Sequence, residues 1–152
     1  MEAAQGWPDL AGRLTATGHV LPVRVYWEDT DAGGVVYHAG YLRFVERGRT
    51  DFLRLLGVDQ GRILVETGAA FVVRRMALDF LAPARLDDVL RVETAVAEVS
   101  GARAELAQDV WRDGTRLLAA RVTVAMVGRD GRPRRLAPHV ADALRRAAGG
   151  AG

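Results

Sequence analysis

The sequence predicts an α+β domain in which an antiparallel sheet of five strands curls around one long helix. Apolar residues recur at helical spacing in one long segment and alternate at strand spacing in five others. A single helix with so wide an apolar face needs a sheet to cover it. At 152 residues the chain fits one domain with one core, which buries about two-thirds of the surface of the unfolded chain.

The first strand is predicted at residues 19 to 27, where HVLPVRVYW alternates apolar and polar positions and has Pro22 near its beginning. Residues 1 to 18 lack clear periodicity, and we interpret them as a mobile lead-in. After the strand, the segment EDTDAGG favours a turn, because Asp, Thr and Gly are common turn residues.

The long helix is predicted to begin near residues 37 to 39. The residues of its apolar stripe share helical spacing and are Tyr41, Phe44, Val45, Gly48, Phe52, Leu55 and Leu56. Glycine destabilises a helix by up to about 1 kcal/mol relative to alanine, so Gly48 in this stripe predicts an unusually close contact. Gly57 is a suitable stop for the helix.

Four further strands follow the helix, in the segments AAFVVRRMALDFL, DVLRVETAVAEV, ARAELAQDVWR and RLLAARVTVAMVG. The Asp-Gly pair in DGT predicts a hairpin between the last two, and Ser100 and Gly101 separate the preceding pair in the same way. We therefore expect four strands that turn back on one another in sequence. Because the last two strands carry apolar residues on both faces, a second subunit is expected to cover part of the sheet.

The chain ends in a short helical pattern, PHVADALRRA, followed by a Gly/Ala tail. We find no repeats and no internal linker. The predicted organisation is one domain at residues 19–146, preceded by the lead-in and followed by a flexible tail at residues 147–152.

Composition excludes several kinds of chemistry. Without cysteine the chain has no disulfide, no thiolate metal site and no cysteine nucleophile, and without lysine it has no Schiff-base lysine. The three histidines, His19, His38 and His139, are too scattered to suggest a metal site, and we expect none. A net charge of +2 argues against a nucleic-acid-binding face.

No apolar run reaches the ~18 residues of a membrane span and no secretory signal begins the sequence, so we expect no membrane insertion and a cytoplasmic protein.

Residues 26 to 41, YWEDTDAGGVVYHAGY, place acids and glycines where a strand stops and a helix starts. The first N–H groups of a helix lack internal partners and, with the helix dipole, favour an oxyanion. In acyl transfer the carbonyl oxygen becomes negative, so such an N–H stabilises the transition state. Gly33 and Gly34 let a substrate approach the backbone, and a nearby carboxylate could attack the carbonyl or activate water.

The same residues also admit structural interpretations. Asp29 and Asp31 could be turn residues whose side chains bond their own backbone. His38 could be a residue of the helix start without catalytic consequence, and Tyr37 and Tyr41 could be core aromatics. Spacing alone leaves these alternatives open.

The segment VRVYWEDTDAGGVVYHAGYLRFVERGRTDFLRLLG resembles the opening of the hotdog-fold acyl-CoA thioesterases, in the branch with 4-hydroxybenzoyl-CoA thioesterase and the Tol-Pal-associated acyl-CoA thioesterases. The similarity continues through FVVRRMALDFLAPARLDDVLRVET to RVTVAMVGRDGRPRRL and covers about residues 19 to 138. DTDAGGVVYHAGY is its specific part. The resemblance implies a hotdog fold with one long helix and a short C-terminal helix.

This resemblance also implies roles for individual residues. In that branch the second acid of the D-x-D pair is the catalytic carboxylate, which matches Asp31, and the helix-start N–H that polarises the thioester carbonyl corresponds to Tyr37 and His38. A histidine at the position of His38 is typical of the Tol-Pal-associated group and favours aliphatic or broad acyl-CoA substrates. Asp29 is then a structural turn residue. Another branch has its catalytic glutamate on the long helix, so Glu46 is the rival, although pairing with Arg43, Arg49 or Thr50 along the helix is the alternative for it.

The phosphates of coenzyme A need cations, and RDGRPRR gathers arginines after the last strand, in the region where related enzymes use basic residues. Arginine binds phosphate through a forked pair of donors, and we take Arg132, Arg134 and Arg135, beside Arg129, as candidates. A solvated charged face is the alternative. The hydroxybenzoyl enzymes also carry basic residues between the third and fourth strands, where this chain has VSGAR with Arg103 alone.

We therefore expect an enzyme that hydrolyses acyl-CoA thioesters and works as a homodimer or homotetramer, as the resemblance implies. Coenzyme A is part of the substrate, so no cofactor is expected, and an acyl carrier protein is a candidate partner. Two alternatives remain: a hotdog dehydratase acting on hydroxyacyl thioesters, and a non-catalytic module that binds acyl-carrier or envelope-assembly proteins.

Overall fold

The structure is a computed structural model and describes residues 10–149. Within that range the chain forms six β-strands, three α-helices and a short 3-10 turn at Trp27–Asp29. The strands are β1 Arg13–Thr15, β2 Gly18–Arg24, β3 Ala70–Phe80, β4 Val89–Ser100, β5 Arg103–Arg112 and β6 Thr115–Val127. The helices are α1 Gly40–Leu55, α2 Gln60–Thr67 and α3 Pro138–Ala148.

All six strands belong to one antiparallel sheet with the order β1-β2-β4-β5-β6-β3. The predicted α+β class, with a sheet around one long helix and a short C-terminal helix, is confirmed. The predicted number of five strands is wrong, because β1 forms a hairpin with β2. This strand lies inside the segment interpreted as a lead-in. The domain limits stay a prediction, and residues 1–9 and 150–152 of the lead-in and tail lie outside the described residues.

The expectation that the last four strands pair in sequence is wrong for β3. This strand pairs with β6, from Ala70 opposite Val127 to Phe80 opposite Leu118, while β4 pairs with β2 and β5. Because β2 takes one side of β4, β3 is left for the opposite end of the sheet. The β3–β4 loop, residues 81–88, makes that crossing.

The helix α1 is the centre of the core. Tyr41, Phe44, Val45 and Phe52 are at most 3% exposed along its apolar stripe, and each such side chain stabilises the fold by about 1.5–3 kcal/mol relative to exposure. The close contact predicted at Gly48 is confirmed, because a Cβ there would lie 2.7 Å from Cγ1 of Val92. The helix therefore sits against the sheet at a distance that a larger residue would increase.

The residue after the α1 C-cap is Gly57, with a left-handed φ of +82° that favours glycine, as predicted for the helix stop. Helix α2 was not predicted. The side chain of Asp59 caps its start by accepting from the N–H of Arg62, and Gly68 closes its end with a φ of +72°. Helix α3 packs on β4 and buries Val140 and Leu144 against the far end of the α1 core.

A buried hydrogen bond between Asp51 and His19 ties the first hairpin to the second half of α1. Oδ2 of Asp51 lies 2.6 Å from Nε2 of His19 on β2 and accepts the N–H of Gly12 at 2.8 Å. The ring of His19 stacks on Phe52. His19 thus contributes to the packing of β1 and β2, an arrangement that the scattered histidines did not predict.

Candidate active site

The turn between β2 and α1 is built by its own acids. We call residues 28–34 the acidic turn. Oδ2 of Asp29 accepts the N–H of Tyr26 at 2.8 Å, and the hydroxyl of Thr30 donates to the carbonyl of Trp27 at 2.9 Å. Both contacts close the 3-10 turn that leads out of β2. Asp29 therefore makes the backbone contact that a turn-forming residue makes.

Asp31 stands at the tip of the acidic turn. Its Oδ1 accepts the N–H of Gly33 at 2.8 Å, its N–H donates to Val35, and its carbonyl accepts the N–H of Gly34. Gly34 has a φ of +79°, which favours glycine. The side chain is exposed, and within residues 10–149 its Oδ2 has no hydrogen-bond partner. One carboxylate oxygen is fixed and the other is available.

The N–H of His38 is available at the start of α1. The helix was predicted to begin near residues 37 to 39, and its N-cap is Ala39, with Gly40 as the first helical residue. The N–H of Tyr37 donates to the carbonyl of Asp29 at 3.0 Å, so that donor is occupied. The N–H of His38 meets no acceptor within the described part of the chain. Of the two predicted oxyanion donors, the amide of His38 is therefore the available one.

Asp31 and His38 lie on opposite arms of the same loop. An isolated antiparallel bridge between Thr30 and Val36 joins the arms, one residue before Asp31 and two residues before His38. The acid and the free amide that the sequence singled out therefore lie on one short loop whose arms are bridged.

Aromatic rings surround His38. Its ring centroid lies 4.5 Å from that of Tyr37 and 6.2 Å from that of Phe80, the last residue of β3. Phe80 in turn meets the ring of Tyr41 at 5.8 Å. Five large apolar side chains here are about half exposed or more: Tyr26, Trp27, Tyr37, Phe80 and Leu81. The single chain presents its candidate site as an open apolar surface with a carboxylate beside it.

Glu46, the rival acid, lies on α1 six residues beyond Gly40, which is about 9 Å along the helix axis. Its carboxylate pairs with the guanidinium of Arg49, and the hydroxyl of Thr50 lies 3.5 Å away. The pairing considered as the alternative for Glu46 is thus present. A cavity of about 50 Å³ opens beside this group, and Phe71, Val72 and Leu144 also line it.

Arg49 links Glu46 to the interior. The residue is 6% exposed and donates from Nη1 to Oε1 of Gln108 at 2.9 Å. The amide nitrogen of Gln108 donates to the carbonyl of Val45 and to the hydroxyl of Thr94, both at 2.9 Å. We call Glu46, Arg49, Thr94 and Gln108 the polar cluster. It joins α1 to β4 and β5 through satisfied hydrogen bonds.

The arginine turn, residues 129–135, is far from the acidic turn within one chain. It follows β6 at Val127, opposite Ala70, whereas His38 touches Phe80 at the other end of β3. The 11 residues of β3 separate the two ends by about 33 Å. The structure does not bring the predicted phosphate ligands to Asp31 in a single chain.

Two arginines of this turn have structural contacts. Arg129 lies against Gly68 at the C-cap of α2, and the guanidinium of Arg134 lies over Gly128, where a Cβ would be 2.6 Å from its Nε. Arg132 and Arg135 are exposed. Across residues 10–149 none of the candidates Arg132, Arg134 and Arg135 pairs with a carboxylate.

The sequence did not identify the contacts that Tyr41 makes beneath the site. Its hydroxyl accepts the N–H of Ala84 at 3.2 Å, and burial raises the pKa of this hydroxyl while the N–H of Ala84 acts to lower it. The side chain is 3% exposed, so its role as a core aromatic is compatible with this hydrogen bond. No motif in LAPARLDD indicated that this loop would reach the helix.

Within residues 10–149 no group of three or more His, Cys, Asp or Glu side chains is arranged to hold a metal ion. The expectation that the protein needs no cofactor stays a prediction. In the described range no helix has the length and apolar character of a membrane span.

Comparisons with known proteins agree on one family. A family model described as Thioesterase-like superfamily matches residues 25–147. The acyl-CoA thioesterase YbgC of Haemophilus influenzae is 53% identical over 110 residues, covering 72% of this chain and 81% of that protein. The acyl-CoA thioester hydrolase YbgC of Escherichia coli O6:H1 is 47% identical over 107 residues, covering 70% and 79%. A crystal structure of a probable thioesterase from Bartonella henselae superposes with a TM-score of 0.76 at 39% identity, covering 79% of this chain and 99% of that one.

Proposed function

Because the chain belongs to the Thioesterase-like superfamily, with its hotdog fold, we propose that it hydrolyses acyl-CoA thioesters to the free acid and coenzyme A. The observation that carries the proposal is that Asp31, with one free carboxylate oxygen, and the unoccupied N–H of His38 lie on one bridged, glycine-containing loop. The names of the Haemophilus and Escherichia relatives support the substrate class.

In this proposal the N–H of His38 acts as the oxyanion donor. As the thioester carbonyl is attacked, its oxygen gains negative charge, and an amide at a helix start favours that charge over the neutral ground state. Gly33 and Gly34 leave the space above the loop open to the acyl carbon. The ring of His38 orients the attacking water or the thioester.

Asp31 supplies the base or the nucleophile. Acting as a base, its Oδ2 takes a proton from water while the water oxygen bonds to the carbonyl carbon, and the thiolate of coenzyme A leaves and is protonated. Acting as a nucleophile, the same oxygen bonds to the carbonyl carbon and expels the thiolate, which is protonated, and water then hydrolyses the resulting anhydride. The N–H of Gly33 holds Oδ1 and fixes the direction of Oδ2 in both routes.

The proposed working unit is a homodimer or homotetramer. Strand β3 ends the sheet, and its core-facing residues include Val73 and Phe80, which are 43% and 49% exposed. A second copy whose β3 pairs antiparallel with this edge would bring its own arginine turn toward the acidic turn. That arrangement supports Arg132, Arg134 and Arg135 as ligands of the coenzyme A phosphates. Delivery by an acyl carrier protein, a cytoplasmic location and an association with Tol-Pal stay predictions.

A substrate panel with one variant tests the proposal. We expect wild-type protein to release thiol from acyl-CoAs with many turnovers per subunit, and Asp31→Asn to lose this activity while keeping its fold, because an amide can still accept the N–H of Gly33. Glu28→Gln, which removes a charge from an exposed neighbour in the same turn, is the matched control. Enoyl product from a 3-hydroxyacyl-CoA would indicate the dehydratase instead, and thiol release limited to one equivalent would indicate a binding module.

A further inference from the structure

We propose that the β3–β4 loop is a brace for the acidic turn, with Tyr41, Arg112 and Asp88 as its positioning residues. The inference rests on the proposed function, because it concerns how the same reactive group is held. None of these three side chains touches the acidic turn itself. They act through backbone hydrogen bonds that converge on residues 84 and 85.

The first step runs from α1 to the loop. Tyr41 is the second residue of α1, and its buried hydroxyl accepts the N–H of Ala84 at 3.2 Å. Ala84 is fully buried, and its carbonyl accepts the N–H of Val36 at 2.9 Å. One residue of the loop is therefore hydrogen-bonded to the helix on one side and to the arm behind Asp31 on the other.

The second step runs from the loop to Asp31. Val35 forms an isolated antiparallel bridge with Arg85, and its carbonyl accepts the N–H of Asp31 at 2.9 Å. Val36 bridges Thr30 on the opposite arm. A shift of residues 84 and 85 would therefore move both arms of the acidic turn, and with them the oxygen of Asp31 relative to the N–H of His38.

The third step fixes the loop to the sheet. Nη1 of Arg112, at the end of β5, donates to the carbonyl of Pro83 at 3.0 Å and to Oδ2 of Asp88 at 2.8 Å. The same Oδ2 accepts the N–H of Arg85 at 2.8 Å. Asp88 is also hydrogen-bonded to the residue after β2, because its carbonyl accepts the N–H of Val25. The ion pair thus holds both flanks of Ala84.

The electrostatics agree with this geometry. Partial burial acts to raise the pKa of Asp88, but the N–H of Arg85 and the guanidinium of Arg112 outweigh it and hold that pKa below its usual value. A carboxylate that gives up its proton readily keeps both hydrogen bonds at neutral pH.

A purely structural role for Tyr41 makes a different prediction. Its ring packs against Phe44 at 6.0 Å and Phe80 at 5.8 Å, and Tyr41→Phe keeps those contacts while removing only the acceptor for Ala84. If packing is all that matters, this variant will behave as wild type. If the hydroxyl positions the loop, the acidic turn will loosen although the core is intact.

The test measures turnover and backbone protection together. We expect Tyr41→Phe and Arg112→Met each to lower kcat for acyl-CoA by roughly 10- to 100-fold with little change in KM, since small misplacement of a reactive group costs that much. Amide hydrogen exchange of Asp31 and Val36 will be faster in both variants. Combining them will change kcat by less than the product of the single effects, because both act on one loop.

The matched control is Arg116→Met, which breaks an ion pair with Asp109 at 3.4 Å in the same sheet without touching the loop. It is expected to leave kcat and the exchange of Val36 unchanged. Wild-type turnover and wild-type exchange in Tyr41→Phe would overturn the inference, and so would slower turnover with unchanged exchange. Failure of the wild-type protein to hydrolyse thioesters would instead overturn the proposed function, while the exchange measurement still tests the brace.

Discussion

Two carboxylates near the first half of α1 have opposite surroundings. Asp31 precedes the helix and is exposed, and one of its oxygens accepts the N–H of Gly33. Glu46 lies within the helix and pairs with Arg49, which is itself bonded to Gln108 in the interior. The first carboxylate has one oxygen without a partner among the described residues, and the second neutralises a buried cation.

The difference separates a reactive acid from a structural one. A carboxylate held by a guanidinium must break that pair before it can take a proton or attack a carbonyl, whereas Asp31 needs no such step. Conversely, removing Glu46 leaves the buried charge of Arg49 without its counter-ion, a change that costs folding free energy. We therefore expect substitutions at the two sites to affect different quantities.

The largest expected difference between substitutions of the two acids is in the free energy of unfolding. We expect Glu46→Gln to lower it by about 1–2 kcal/mol, less than for a fully buried pair, because 60% of the Glu46 side chain is exposed. We expect Asp31→Asn to change it by at most about 0.5 kcal/mol, as for most surface substitutions. Urea unfolding of both variants measures the difference.

Glu66→Gln is the control for that contrast. It breaks the Arg62–Glu66 pair, which also lies within one helix but has two exposed partners, and a smaller loss than for Glu46→Gln is expected. Equal losses in Glu46→Gln and Asp31→Asn would remove the distinction between the two acids.

The pH dependence of stability tests how Asp88 holds the β3–β4 loop. The folded-state pKa of Asp88 is lowered, so its contribution to stability is present above its unfolded pKa and is lost as the pH falls through its folded pKa. The charged and titratable groups that face it are Arg112, Arg85 and Tyr41. We expect Asp88→Asn to flatten the loss of stability in acid, measured by thermal unfolding from neutral to acid pH. A curve with the same acid slope as wild type would contradict this role.

The arginine turn is expected to give the smallest effect. If Arg132 and Arg135 bind the phosphates of coenzyme A, their substitution by methionine will raise KM a few-fold, and added salt will weaken the difference because exposed charges are screened. An acyl-pantetheine substrate, which lacks the nucleotide, will not distinguish the variants. Arg121→Met, on the outer side of β6, is the control. An equal rise in KM with acyl-pantetheine would show that these arginines do not bind the nucleotide.

Much of the fold follows from local patterns. The periodicity of residues 41 to 56 identified α1, and the glycine in its stripe indicated the contact with Val92 that the structure contains. Strand pairing was harder, because β3 and β6 are far apart in the sequence and nothing in their alternation specifies partners. Helix α2 has only Ile63 packed against the core, so its apolar period was too weak to detect.

The candidate site likewise has a part that local sequence patterns predict and a part that they do not. Asp31 and the amide of His38 lie in one short segment whose turn residues and helix start can be recognised locally. Tyr41 and Ala84 are 43 positions apart, and a backbone N–H carries no sequence signal of its partner. The distance between the arginine turn and the acidic turn depends on the pairing of β3 with β6, which the sequence pattern did not contain.

Single-turnover thiol release by Asp31→Asn and Glu46→Gln, measured side by side on one acyl-CoA, tests the central claim most directly. The account predicts that Asp31→Asn slows the chemical step by roughly 10²- to 10⁴-fold, as loss of a general base does, while Glu46→Gln stays close to wild type once its lower stability is taken into account. A slow Glu46→Gln beside a fully active Asp31→Asn would contradict it and place the reactive carboxylate on the helix.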